Sequence, residues 1–331
     1  MGPVLVVGAT GQLGMAAVKC LLAEGRAVRA FVRDPGAAHR FQALGAETAL
    51  GDLTQPATLT AACRGVAQVV ATANAAIPSR STDSFEAVEG QGYRNLIRAA
   101  TEAGVRRFIY TSVPRSRYES SSIFFRLKRE TEQLIEASGL DHVIFRADIF
   151  MDISFAMMGS GIPLRSAEAA SVLRPFAFAR NHFEGIKDSI ESKHVAMIPG
   201  DGSVRHAFIC VDDVARFLAA AAAGGQRGTF ILGGPEALTF LDVVSVYERV
   251  LGLQLRVKKT PALVFRILSK VMRPFNPAGA NIMHLNFVGA TEETLADPKT
   301  AAAFGVSPLT TAESFLRTRA GASKAAMAGR T

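Results

Sequence analysis

Eleven residues near the amino terminus, Val-Leu-Val-Val-Gly-Ala-Thr-Gly-Gln-Leu-Gly at positions 4–14, constrain this chain more than any other stretch. Val4–Val7 is a short apolar run, β-branched in three of four positions, which suits a strand covered on both faces. Gly8, Gly11 and Gly14 follow, and Met15–Ala23 reads as a helix. A turn of this kind brings backbone N–H groups and the positive end of a helix dipole to one point, where a pyrophosphate binds. Gly8 is expected to make the tight turn, Gly11 to admit the phosphates, and Gly14 to let helix and strand pack. Thr10, Gln12 and Leu13 belong to the same expected contact. The spacing is G-x-x-G-x-x-G rather than G-x-G-x-x-G, so the strand before and the helix after carry the argument.

The chain then alternates. Ala27–Val32 reads as a second strand ending in Arg33-Asp34-Pro35. An arginine at that tip suits a 2′-phosphate and favours NADP(H); Asp34 beside it keeps NAD(H) open, and an exposed loop arginine is the plain alternative. Ala46–Leu50 is a third strand, followed by Gly51-Asp52-Leu53. Asp52 is expected to accept from the adenine amine or to cap the helix near Thr54–Cys63, and Leu53 to adjoin it. Ala67–Ala73 is a fourth strand, after which Ala73, Asn74 and Ala75 leave room for a cofactor. A long helix is expected over Phe85–Gly104, a strand over Arg107–Ser112, a helix over Phe125–Ser138 and a sixth strand over Asp141–Arg146. This alternation predicts an α/β Rossmann-type, doubly wound parallel sheet, with ligands at the carboxyl ends of its strands. Ser112, at one such end, is a candidate contact to nicotinamide or substrate.

Gly-Ala-Thr-Gly-Gln-Leu-Gly, Phe-Val-Arg-Asp-Pro, Gly-Asp-Leu-Thr-Gln-Pro, Arg-Arg-Phe-Ile-Tyr-Thr-Ser-Val and Phe-Ile-Cys-Val-Asp-Asp-Val-Ala together resemble the NmrA-like atypical short-chain dehydrogenases. That group includes isoflavone-type and quinone reductases, redox-sensing regulators and an NADPH-binding accessory subunit of respiratory complex I. The resemblance covers about residues 3–300 and speaks to fold and cofactor more than to substrate. It implies a lysine that binds the nicotinamide ribose, matched here by Lys128. The tyrosine that typical short-chain dehydrogenases carry four residues before that lysine is Phe124 here. Lys128 is therefore expected to hold ribose and to act as a general acid or orient water. The alternative is an exposed lysine paired with Glu132 one helical turn on. Tyr118 is a lesser candidate phenol. Arg146-Ala147-Asp148 stands where the family commonly has Arg-Pro-Gly, which puts that loop's conformation in question.

The nucleotide domain is expected over residues 1–148, with return segments near 207–234. A smaller, interleaved substrate region takes 149–206 and 235–316, and 317–331 reads as a mobile tail. Phe183–Ser192 looks helical and Phe208–Val211 extended, and Thr239 caps a helix to Leu251. Phe150, Met151, Phe155, Met157 and Met158 are either ordinary core or an apolar substrate wall. Between Arg249 and Ala290 there is no Asp or Glu, while seven Lys and Arg supply nearly all of the net charge of +8. Within that stretch Leu263–Met272 is amphipathic, with Arg266, Lys270 and Arg273 opposite its apolar face. It reads either as a lid on the core or as a peripheral contact to a membrane or partner protein through 249–290.

The three cysteines and six histidines show no metal-ligand spacing, so no metal is expected and the cysteines read as core. Absence of a basic leader or a long apolar run predicts a cytoplasmic protein. Charge confined to one segment without interleaved aromatics gives no nucleic-acid module. The expected function is NADPH-dependent reduction of a small, largely apolar unsaturated or carbonyl compound. The alternative is a non-catalytic, NADP(H)-binding accessory, assembly or redox-sensor protein.

Overall fold

The computed structural model of the protein describes residues 2–80 and 82–328, with side chains to residue 321. Six strands, β1 (Val4–Val7), β2 (Val28–Val32), β3 (Glu47–Leu50), β4 (Gln68–Ala71), β5 (Arg107–Ser112) and β6 (Asp141–Ala147), join a seventh, Gly228–Leu232. They form one parallel sheet in the order β3-β2-β1-β4-β5-β6-seventh, with Val4 opposite both Val28 and Gln68. The order reverses between β1 and β4, which opens a crevice at their carboxyl ends. Helices α1 (Gln12–Ala23), α2 (Pro35–Ala43), α3 (Pro56–Cys63), α4 (Tyr93–Glu102) and α5 (Ile123–Ala137) connect the first six strands. Leu5, Val69, Phe108 and Ile144 from the sheet pack with Leu59, Leu96 and Ile135 from the helices in one continuous core. Both faces of the sheet are covered, which is why its strands read as unbroken apolar runs. Cys63 lies in this core, where burial pushes its thiol up to about 11.

The chain divides into two compact units. The first holds residues 1–147, 212–232 and 299–307, and the second 148–211, 233–298 and 308–331. In the first, the return segment 299–307 sets Phe304 against Phe145, Phe217 and Phe230, with ring centroids 5.0–6.0 Å apart. In the second, Phe155, Phe208, Tyr247 and Phe315 stack around a core of their own. Met151 and Met158 belong to that core, as does Phe155. Thr239 and Asp242 form a complete capping box on the helix Phe240–Leu251.

Several expectations need correction. The long helix over Phe85–Gly104 is broken: Glu86–Gly92 is π-helical and only Tyr93–Glu102 is α. Phe183–Ser192 is two helices, Ala177–Ile186 and Ser189–Lys193. Phe208–Val211 is no strand but a single bridge between Ile209 and Phe150. Val211 N donates to Asp152 Oδ2 at 2.9 Å, and Ala207 N, just before the segment, is shared between Asp148 Oδ2 at 2.7 Å and Thr294 O at 3.0 Å. Asp148 Oδ1 also accepts from Ile149 N, so this buried carboxylate organises the loop where the family commonly has Pro-Gly. The segment expected to be a mobile tail from 317 continues the helix Ala312–Ala328, with Phe315 and Leu316 buried and Arg319 donating to Arg165 O; 329–331 lie outside the described residues. None of the residues of the helix Ala262–Met272 is buried; Ala262, Phe265, Ser269 and Met272 are half-buried.

Candidate functional site

At the carboxyl end of β1, Gly8 has φ +88°, and a Cβ there would stand 2.6 Å from Ala73 N. Only glycine fits that conformation and that approach. Gly11 N donates to Gly8 O at 2.9 Å, closing the turn. A Cβ on Gly14 would lie 2.1 Å from Gly8 O, so the absence of a side chain sets how closely α1 packs on the strand. Helix α1 begins at Gln12, three residues earlier than the sequence suggested, and Gly11 as its N-cap offers no side-chain acceptor. Main-chain donors of the first turn thus face the glycine turn without a capping carboxylate or hydroxyl. Thr10 is exposed while Gln12 and Leu13 are buried, so an anion here meets main-chain atoms at those two positions. This cradle fits a diphosphate.

At the tip of β2, Arg33 is engaged. Its guanidinium donates to both oxygens of Asp83, at 2.5 and 3.1 Å, and stands 3.8 Å from Asp52 Oδ2. Arg80 approaches the same Asp52 oxygen at 3.8 Å. Asp83 also accepts from the amides of Ser79 and Arg80. Burial alone would raise its carboxyl, but the Arg33 guanidinium and these amides hold it below the usual range. The tip of β2 therefore carries two cations balanced by two carboxylates, with Arg33 half-buried. Asp34 caps α2 by accepting from Gly36 N at 2.9 Å. Asp52 caps no helix: Oδ1 takes Thr54 N and Oγ1 in a local turn, and α3 starts at Pro56 without a side-chain cap. Leu53 is buried in the core, with its carbonyl accepting from Asn95 Nδ2. Beyond β4, Ala73 O accepts from Tyr93 OH at 2.7 Å, Asn74 is exposed, and Ala75 is buried.

Lys128 is neither exposed nor paired with Glu132. Only 3% accessible, its Nζ stands 3.1 Å from Glu89 Oε2 and donates to Thr111 O at 3.2 Å. The Tyr110 ring lies 4.8 Å away and the Tyr93 ring 5.8 Å. Glu89 is wholly buried; burial pushes its carboxyl up, and Lys128 and the Ala75 backbone oppose that shift. The π-helical segment carries Glu89 into this position, and π turns often mark functional places. Phe124 packs edge-to-face on Phe85 and Phe125. Tyr110 and Tyr93 are buried, and their phenols are pushed well above their ordinary range by desolvation and then by Glu89. Tyr118 lies off this cluster, under the Arg117 guanidinium.

Ser112 is buried with its Oγ 3.4 Å from an Arg129 nitrogen. It adjoins a second network, in which Glu132 accepts from Arg129 at 2.6 Å and Arg146 at 2.5 Å. Lys128 and Ser112 therefore serve different clusters, although both flank the end of β5. Sequence reasoning missed Glu89, Asp83 and Glu132. Gly90 and Gly92, two glycines inside an apparent helix, were the one available signal for the π segment.

The sequence model of the NmrA-like family matches residues 2–313. The chain belongs to the NmrA-like family. Within it, the chain is 26% identical over 328 residues to the photosystem II assembly factor Ycf39 of Synechocystis sp., covering 95% of this chain and 89% of that one. It is 37% identical over 145 residues to the Ycf39 of Cyanophora paradoxa, a match that spans only 44% of that relative's length. Among solved structures, the NADPH-dependent quinone oxidoreductase QOR2 of Escherichia coli, complexed with NADPH, aligns with a TM-score of 0.68 at 22% identity, covering 95% and 99% of the two chains. The NmrA-like fold is thus shared along nearly the whole chain.

Proposed function

We propose that this NmrA-like protein binds NADP(H) along the carboxyl ends of β1–β5 and reduces a small, largely apolar unsaturated or carbonyl compound. The observation that carries the reading is the uncapped start of α1 over the Gly8–Gly14 turn, an anion cradle that a Cβ on Gly8 or Gly14 would close. The bound dinucleotide would supply the hydride. Main-chain donors at Gln12–Gly14 hold the diphosphate, Arg33 and Arg80 attract the 2′-phosphate, and Asn74 borders the path between them. The name of the Escherichia coli relative, an NADPH-dependent quinone oxidoreductase, supports an acceptor of this kind. With Phe124 at the tyrosine position, no phenol there donates a proton, and reduction draws that proton from water. Such a reaction forgoes roughly the 10²–10⁴-fold that a positioned acid gives.

A second reading rests on one observation. Lys128 is sequestered by Glu89 and Thr111 O, which suits a protein that keeps its nucleotide bound without turnover. The Ycf39 relatives are named as assembly factors, consistent with such a role. Dinucleotide oxidation with a panel of quinones, enones and lipophilic carbonyls separates the two. Turnover with any of them supports the reductase; none, with the dinucleotide demonstrably bound, supports the assembly or sensor role.

A further inference from the structure

The helix Ala262–Met272 faces its own unit with Ala262, Phe265, Ser269 and Met272, all half-buried. On nearly the opposite side of the helix, Leu263, Val264, Ile267, Leu268 and Val271 form a second apolar face that is open to solvent, Leu263 and Val271 at 61% each. Phe275, just past the helix, is 88% exposed and extends this face. Soluble surfaces carry single exposed apolar side chains; a contiguous stripe of six marks a contact. Arg266, Lys270 and Arg273 are all exposed, and Arg266 and Lys270 flank the stripe. Arg256, Lys258 and Lys259 on the preceding strand Arg256–Thr260 are exposed as well. No carboxylate occurs between Arg249 and Ala290 in the sequence; from outside that window, Asp201 lies within electrostatic reach of Lys259. The helix Pro277–Gly289 packs behind, with Met272 Cε close to Gly279 and Arg266 5.7 Å above the Phe287 ring.

We propose that this face docks on an anionic lipid surface, the helix Ala262–Met272 lying in the plane of the interface. An apolar stripe with cations along one edge, on a helix that carries no acid, matches acyl chains beneath negative headgroups, and each cation near such a surface adds to binding. A protein partner of ordinary composition would meet the apolar stripe but gives no reason for forty residues without an acid. None of the described helices is long and apolar enough to cross a membrane, so the contact is peripheral. The proposal is independent of dinucleotide binding.

Flotation of the full chain with vesicles tests it, using phosphatidylcholine alone and phosphatidylcholine mixed with phosphatidylglycerol. The protein is expected to float with the anionic vesicles, to stay behind with neutral ones, and to be released by salt. Ile267→Ser with Phe275→Ser, and separately Arg266→Gln with Lys270→Gln and Arg273→Gln, should each weaken partitioning at least about tenfold. These side chains are exposed, so both variants keep the parent melting temperature. Failure of the parent to float with anionic vesicles overturns the proposal, as does unaltered flotation of both variants. A concentration-dependent dimer abolished by Ile267→Ser with Phe275→Ser would show that a second copy covers the face, and would also overturn it.

Discussion

Asp83 and Glu89 change what Arg33 and Lys128 are able to do. In the proposed site Arg33 would read a 2′-phosphate, yet its guanidinium is already satisfied by a bidentate carboxylate, and a phosphate would have to displace Asp83 or share Arg33 with it. Asp83→Asn keeps an acceptor for the Ser79 and Arg80 amides and removes the competing charge. It should therefore raise NADPH affinity relative to NADH, by about tenfold for a charge-assisted contact worth roughly 1.5 kcal/mol. Arg33→Ala should shift the ratio the other way. Titration of both dinucleotides against each variant checks this, and an unchanged ratio in both would show that Arg33 does not read the phosphate. Lys128 and Glu89 form a buried pair, for which removal of one partner leaves an uncompensated group. Lys128→Ala should cost about 3–5 kcal/mol in urea unfolding, while Lys128→Met with Glu89→Gln should recover much of that loss. An additive double variant would contradict the pairing.

At the scale of elements, the end of β5, the end of β6 and the middle of α5 are tied by Glu132 to Arg129 and Arg146. Burial raises the Glu132 carboxyl, but the hydrogen bonds from Arg146 and Ser112 and the charge of Arg129 outweigh it, leaving the group below its ordinary value. A carboxyl depressed by folding contributes stability that is fully present above its unfolded value of about 4.3 and disappears as pH falls through the folded value. The Glu132 contribution to unfolding free energy should thus be steady near neutrality and be lost below about pH 4, seen as a shallower acid limb in Glu132→Gln; identical limbs would argue against the clamp. The first six strands and the helices α1, α3 and α5 were legible because their apolar runs and glycine stops are local signals, whereas α2 was not read. The π segment was not, since Val88, Tyr93, Leu96 and Ile97 keep near-helical spacing whichever turn carries them. The fate of Lys128 was equally hidden: its partner Glu89 is distant in sequence, and only the packing of α5 against the π segment brings them together. Near 208–211 the apolar run suggested a strand, but pairing stops at Ile209, which exchanges backbone bonds with Ile149 O and Met151 N, and Asp152 takes the Val211 amide.

Over the whole molecule, the sheet has the order β3-β2-β1-β4-β5-β6 and the NmrA-like family model matches residues 2 to 313; the ligand site proposed above lies at the strand ends of that sheet. The return of Phe304 to the first unit had no sequence signal, because a lone phenylalanine in an alanine-rich segment carries no period. In the proposed function, the main-chain cradle between Gly8 and Gly14 holds a dinucleotide. Isothermal calorimetry of the full chain with NADPH and with NADH, beside Gly14→Ala as the control, tests it most directly. Saturable one-to-one heat is expected with at least NADPH in the parent, and its loss in a folded Gly14→Ala, whose added Cβ would force α1 away from Gly8 O. Well-folded parent protein that gives no heat with either dinucleotide would contradict it.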